Sequence, residues 1–203
     1  MGGRCASPRD GECSCYAPKV LPRNTRPMRL SRRSEPFDSD DYIVELKIDG
    51  FRSLAYIENG HCDLVSRNGN TFRQFKDLAQ WMAEHLRVES AVLDGELACV
   101  DEHGRSIFND LMFRRRVCVF FAFDILFLNG EDLRMLPLIK RKARLKKLLR
   151  RRRSRMLYVD HIEARGCEFF EKACGLDLEG IVAKRKNSLY RATEKPSPLP
   201  TLL

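Results

Sequence analysis

The chain has 203 residues, a formal net charge of +9, 43% hydrophobic and 32% charged residues. That is enough for one domain with a real core. No apolar run approaches the ~20 residues that cross a bilayer, and Met1 to Arg9 has no apolar secretory region. The expectation is a cytoplasmic chain without a membrane partner.

Residues 1–38 carry Gly2-Gly3, Pro8, Gly11, Pro18, Pro22, Pro27 and Pro36 without sustained periodicity. They read as a poorly ordered leader, within which Pro18 to Met28 is a candidate for packing on the domain. The folded domain is expected over 39–191. Tyr42, Ile43, Val44 and Leu46 read as a strand that ends at Lys47-Ile48-Asp49-Gly50, where the glycine lets backbone approach a ligand. Ser53 to Glu58, Asn59-Gly60 and His61 to Ser66 give a hairpin, since Asn-Gly accepts the positive φ of a two-residue turn.

Phe75, Leu78, Ala79, Met82, Ala83 and Leu86 recur at helical spacing. Ser90 to Val100 reads as a strand, Asp101 to Gly104 as a turn, and Ile107 to Phe113 as a short helix. Val117 to Leu128, the most apolar run, predicts a central strand. Lys140 to Arg155 then holds eleven Lys and Arg and no acid, so the rest of the chain is slightly acidic. Leu145, Leu148 and Leu149 within it predict an amphipathic helix showing a basic face, either solvated or on nucleic-acid phosphates. A strand at Met156 to His161, a helix around Glu168 to Cys174 and a strand at Gly180 to Lys184 complete the domain. Irregularly interspersed strands and helices predict an α+β fold with mainly antiparallel sheets.

The eight cysteines include no Cys-x-x-Cys pair and the four histidines are scattered. Reduced thiols, most of them buried, are expected, and no zinc site. Neither Gly-x-Gly-x-x-Gly nor a Walker-type loop occurs, which argues against a Rossmann or P-loop nucleotide site.

Glu45-Leu-Lys47-Ile-Asp49-Gly50 is followed in order by Ser66-Arg67-Asn68-Gly69, Asp94-Gly95-Glu96, Phe123-Asp124 and Glu179-Gly180-Ile-Val-Ala-Lys184. From about Tyr42 to Arg191 the sequence resembles the adenylation domain of bacterial ATP-dependent DNA ligases, especially those of the end-joining type. The resemblance implies two twisted, mainly antiparallel β-sheets with flanking helices and an ATP groove between them, an ATP-grasp-like domain. It also implies Lys47 as nucleophile on the α-phosphorus of ATP, giving a lysyl-N-AMP and pyrophosphate. Only about one unperturbed lysine in a thousand is neutral near pH 7.4, so burial or cationic neighbours are required. Arg52, Lys184 and metal-bound triphosphate are the expected cations.

By the same resemblance Glu45 accepts from the adenine amino group, Arg52 meets ribose or phosphate, and Arg67 meets phosphate. Glu96 binds ribose and, with Glu179, holds Mg²⁺. Phe123 stacks on the purine, Lys184 meets phosphate, and Asp94 orients local backbone. The implied partners are nicked or broken double-stranded DNA and end-joining proteins, with the chain a monomer. In the family a Trp-x-Lys-x-Lys motif and an oligonucleotide-binding β-barrel follow; residues 192–203 show neither and read as a tail outside the family. Without a preorganised phosphate-binding group the rate falls by ~10²–10³, so impaired sealing is expected. The alternatives are a catalytically silent nucleotide- or nucleic-acid-binding remnant, and an RNA ligase or capping-type guanylyltransferase.

Overall fold

A computed structural model gives the fold and describes residues 20–100, 111, 117–150, 155–191 and 200–202. The described strands are β1 (Ser31–Arg33), β2 (Ser39–Leu46), β3 (Phe51–Glu58), β4 (His61–Ser66), β5 (Ser90–Cys99) and β6 (Cys118–Leu128), then β7 (Glu131–Asp132), β8 (Met156–Tyr158), β9 (Ile162–Ala164), β10 (Ile181–Arg185) and β11 (Pro200–Leu202). Among the described residues the longer helices are α1 (Lys76–His85), α2 (Leu138–Leu149) and α3 (Gly166–Gly175), with a 3₁₀ turn at Arg73–Phe75 before α1.

Two sheets form. One runs β1-β11-β10-β2-β9, and the other β4-β3-β5-β6-β7 with β8 added to β6. Among the described residues every strand pairing is antiparallel except β1 with β11 and β6 with β8. This is the expected α+β architecture. Strands β2 and β3 belong to different sheets, and Lys47 to Gly50 is the link that crosses between them.

Strand alternation decides what each face does, because neighbours along a strand point to opposite sides. On β3 and β5 the register sets Arg52 opposite Glu96, Leu54 opposite Asp94 and Tyr56 opposite Val92. That face carries the charged groups at one end. At the other it packs Leu54, Tyr56 and Val92 with Leu21, Leu126, Phe127 and Tyr190. The opposite face buries Ala55, Ile57, Leu93 and Leu97 against Phe75, Leu78 and Met82 beside and on α1, and against Leu145 and Leu149 of α2. Val44 and Ile181 of the other sheet bury against Ala173 of α3.

The Asn59-Gly60 hairpin forms as expected, with φ of 52° and 73° and Glu58 opposite His61. Several details differ from expectation. The helix in the basic run stops at Leu149, and its Arg141 and Lys142 are each only 1% exposed. Gly50 answers a close approach within the protein: a Cβ there would lie 2.1 Å from the Leu97 carbonyl oxygen. Strand β8 ends at Tyr158, and the Asp160 carboxylate takes the His161 amide.

Cys62, Cys99 and Cys118 are buried, but Cys174 is exposed. Val20 onward, inside the expected leader, is described: Leu21 is buried, and the Tyr56 hydroxyl donates to the Thr25 carbonyl. Arg23 pairs with Glu58 and Asp63 on the hairpin. Residues 200–202, read from sequence as tail, form β11 between β10 and β1. The expected Asp101–Gly104 turn lies outside the described residues, as does the Ile107–Phe113 helix apart from buried Leu111.

Candidate functional site

A cavity of about 200 Å³ opens between the two sheets where the Lys47–Gly50 link crosses. It is lined by Glu45, Lys47, Arg52, Glu96, Phe123, Glu179 and Lys184 among others. Seven of the residues singled out from sequence therefore converge on one space. Arg67 does not: it is exposed, and lines an adjoining depression with Gly50, Arg52 and Glu96.

Lys47 follows directly on β2, and its amide donates to the Gly180 carbonyl at 3.0 Å. This bond ties the link to the residue preceding β10, where Gly180 adopts φ of 138°. The Lys47 ammonium pairs with Glu179, with the two side chains 26% and 35% exposed. Burial lowers the Lys47 amine below its ordinary value; Asp49 and Glu96 pull it back up, and Arg32 on β1 adds to the lowering. The expectation that Arg52 and Lys184 supply this cationic influence is corrected. Each has its own carboxylate, Asp94 for Arg52 and Glu45 for Lys184.

Glu45 is 2% exposed on β2, an interior strand of its sheet. The register puts it opposite Val182, so Lys184, two residues along β10, shares its face. Lys184 Nζ lies 2.5 Å from Glu45 Oε2. The other oxygen, Oε1, pairs with Lys142 of α2. Burial raises the Glu45 carboxyl, but Lys184 and Lys142 outweigh it and the net direction is down. Burial likewise lowers the Lys142 amine against the pull of Glu45.

Arg52 donates from Nε and Nη2 to both oxygens of Asp94, at 2.7 and 2.8 Å. The Tyr190 hydroxyl donates to the same Asp94 at 2.7 Å. Asp94 thus orients a side chain rather than local backbone. Arg52 and Lys184 both lie over the Phe123 ring, at 4.6 and 4.2 Å from its centroid. Asp124, the next residue, is buried and accepts from Arg141 Nε and Nη2 at 2.9 and 2.8 Å.

Glu96 differs from the other acids. Burial pushes its carboxyl up to about 8; Arg52 and Lys47 act against that, and Asp94 and Asp49 with it. A carboxyl in that state gains most from a cation placed beside it.

Four residues hold this site together beyond those given roles from sequence: Arg141, Lys142, Tyr190 and Asp124, the last present there only within the Phe123-Asp124 motif. A signal exists for the first two. Leu138, Arg141, Lys142, Leu145 and Leu149 fall on one helical stripe, and all are buried. Two cations on the apolar stripe of a helix imply acids waiting in the sheet.

The model for the ATP-dependent DNA ligase domain matches residues 27–198. The chain belongs to this family. It is 35% identical, over 95% of its length, to the multifunctional non-homologous end joining protein LigD of Pseudomonas aeruginosa. It is 30% identical, over 81% of its length, to the bifunctional LigD of Bacillus subtilis. It spans 25% and 31% of those two proteins. Among solved structures, a mycobacterial DNA ligase D complexed with ATP and MES superposes with a TM-score of 0.76 at 25% identity. That match covers 89% of this chain and 60% of the other. Membership of this family accounts for the two-sheet fold.

Proposed function

We propose that this chain is the adenylating unit of an ATP-dependent DNA ligase and that Lys47 is its nucleophile. The observation that carries the reading is a partly buried lysine amine paired with a carboxylate, lining a cavity that further cations also line. Lys47 loses its proton to solvent before attack, and Glu179, its partner in the ion pair, stays a carboxylate throughout. The freed lone pair attacks the α-phosphorus of ATP. A phosphorus–nitrogen bond forms as the bond to the bridging oxygen breaks, and pyrophosphate leaves. Arg52 and Lys184 offset charge gathering on the phosphoryl oxygens, the dominant form of catalysis in phosphoryl transfer. Phe123 offers a ring to the purine and Glu45 an acceptor to its amino group. Arg67, on the adjoining depression, meets phosphate at its edge.

Glu96 and Glu179 fit Mg²⁺: they are hard oxygen donors facing one cavity, and such sites need few carboxylates because the ion keeps several waters. When bound, Mg²⁺ supplies charge that neutralises the triphosphate. The lysyl adenylate then passes AMP to the 5′-phosphate of nicked or broken duplex DNA. The chain works in the cytoplasm as a monomer, with end-joining proteins as its partners. The domain responsible has its centre in 39–191, with Leu21 to Arg33 packed on it and 200–202 joining its sheet.

Incubation with α-labelled ATP and Mg²⁺ tests this. Label should appear on the unaltered chain, be absent from Lys47→Ala, and be suppressed when unlabelled ATP, but not GTP, competes in excess. Absence of label from both proteins would leave a silent binding module. Suppression of labelling by competing GTP would favour a guanylyltransferase.

A further inference from the structure

The buried group Glu45, Lys142 and Lys184 has two cations for one carboxylate, and the cations are not equivalent. Lys142 is 1% exposed and does not line the cavity. Besides Glu45 Oε1 it donates to the Val159 carbonyl at 2.9 Å and the Phe123 carbonyl at 3.4 Å. It also lies 4.6 Å from the centroid of the Tyr158 ring. It is therefore fixed from several sides. Lys184 holds Glu45 Oε2, rests over Phe123, and reaches the cavity with a side chain 10% exposed.

We propose that Lys142 is a positioning residue: by holding Glu45 from the closed side, it lets Lys184 leave that carboxylate and engage a nucleotide phosphate. This rests on the cavity being an ATP site. The physical reason is the cost of an unpaired buried charge. Were Glu45 served by Lys184 alone, moving Lys184 to a phosphate would strand a desolvated carboxylate, and Lys184 would stay where it is. With Lys142 in place, Glu45 keeps one charge-assisted hydrogen bond throughout and the spare cation is available.

The full chain and α,β-methylene-ATP, which cannot transfer AMP, test this by calorimetry. Lys142→Met should bind the analogue roughly ten- to a hundredfold more weakly, the scale of one hydrogen bond to a charged group. Adenosine, which has no phosphate but keeps the amino group offered to Glu45, should lose much less affinity in the variant than the analogue does. Lys142→Arg should restore most of the affinity. On a Glu45→Gln background, where no carboxylate detains Lys184, adding Lys142→Met should cause no further loss. That comparison still decides the matter if Lys142→Met alone fails to fold.

Undiminished affinity in Lys142→Met, equal loss for adenosine, or further loss on the Glu45→Gln background overturns the proposal. If the unaltered chain binds the analogue but takes no label from ATP, the adenylating reading fails and this inference stands. If the chain takes label but Lys142→Met binds normally, the reverse holds. No binding by the unaltered chain overturns both.

Discussion

Arg52 and Asp94 form a two-toothed ion pair across β3 and β5, diagonal neighbours two residues out of register on the cavity face, with Asp94 fully buried. Tyr190 supplies the third hydrogen bond to that carboxylate. Removing Arg52 leaves a buried charge with one neutral donor, whereas removing the Tyr190 hydroxyl leaves the ion pair intact. Arg52→Ala should therefore cost about 3–5 kcal/mol and Tyr190→Phe about 1–2 kcal/mol. Urea unfolding of the two variants measures both. Equal costs would mean that Asp94 is held chiefly by the tyrosine.

Glu96 should make stability fall with rising pH. A carboxyl raised from 4.5 to about 8 in the fold keeps a proton that the unfolded chain releases. Between those values the native state binds more protons, so stability declines across that window and levels off above it. The total is on the order of a few kcal/mol at most. Glu96→Gln should match the unaltered chain near pH 4 and melt higher at pH 8. Millimolar Mg²⁺ should narrow that gap at pH 8 by stabilising the ionised Glu96 of the unaltered chain.

The Lys47 amine should titrate below its ordinary 10.5, burial being the main cause and Arg32 an aid. Adenylate formation, followed against pH, should rise along a limb whose midpoint lies under that value. Arg32→Ala removes a neighbouring cation without touching the cavity lining, so the limb should move to higher pH. A limb unmoved by Arg32→Ala would leave burial as the whole cause.

Gly50 should tolerate no side chain. The Leu97 carbonyl oxygen would sit 2.1 Å from a Cβ, and that oxygen belongs to the β5 backbone, which cannot swing away. Gly50→Ala should push the Lys47–Gly50 link off β5. The expected results are a loss of about 1–3 kcal/mol, the usual range for overpacking, and adenylation reduced more than Lys47 burial alone would explain. Normal activity in Gly50→Ala would show that the link shifts without cost.

Much of this was legible in the chain. Alternation in Tyr42 to Leu46, the Asn59-Gly60 turn and the apolar run at Val117 each correspond to an element whose physical cause is local. The convergence of Lys47, Glu96, Glu179 and Lys184 followed from ordered motifs, not from any local rule. What stayed hidden is long-range pairing. Lys142 and Glu45 are 97 residues apart, and Tyr190 and Asp94 are 96 apart. A charge on a helix says nothing about the acid it meets until the topology brings the sheet beneath it. The basic run misleads for that reason: its composition suggests one cationic face where the helix carries two kinds of cation.

That division yields the last prediction. On α2 and its cap, Lys140, Lys147 and Arg150 are exposed, while Arg141 is buried with both its Nε and Nη2 on Asp124. Changing the three exposed residues to Gln should leave stability within about 0.5 kcal/mol. If this face meets DNA, the slope of log affinity against log salt should become shallower by about one for each phosphate that the variant no longer neutralises. Arg141→Met should instead cost about 3–5 kcal/mol, because it strands Asp124, without a matching change in salt slope for the protein that remains folded. Filter binding to nicked duplex across a salt series, beside thermal melts of each variant, separates the two roles. An unchanged slope in the triple variant would make the exposed cations a solvated face and move the DNA track elsewhere on the domain.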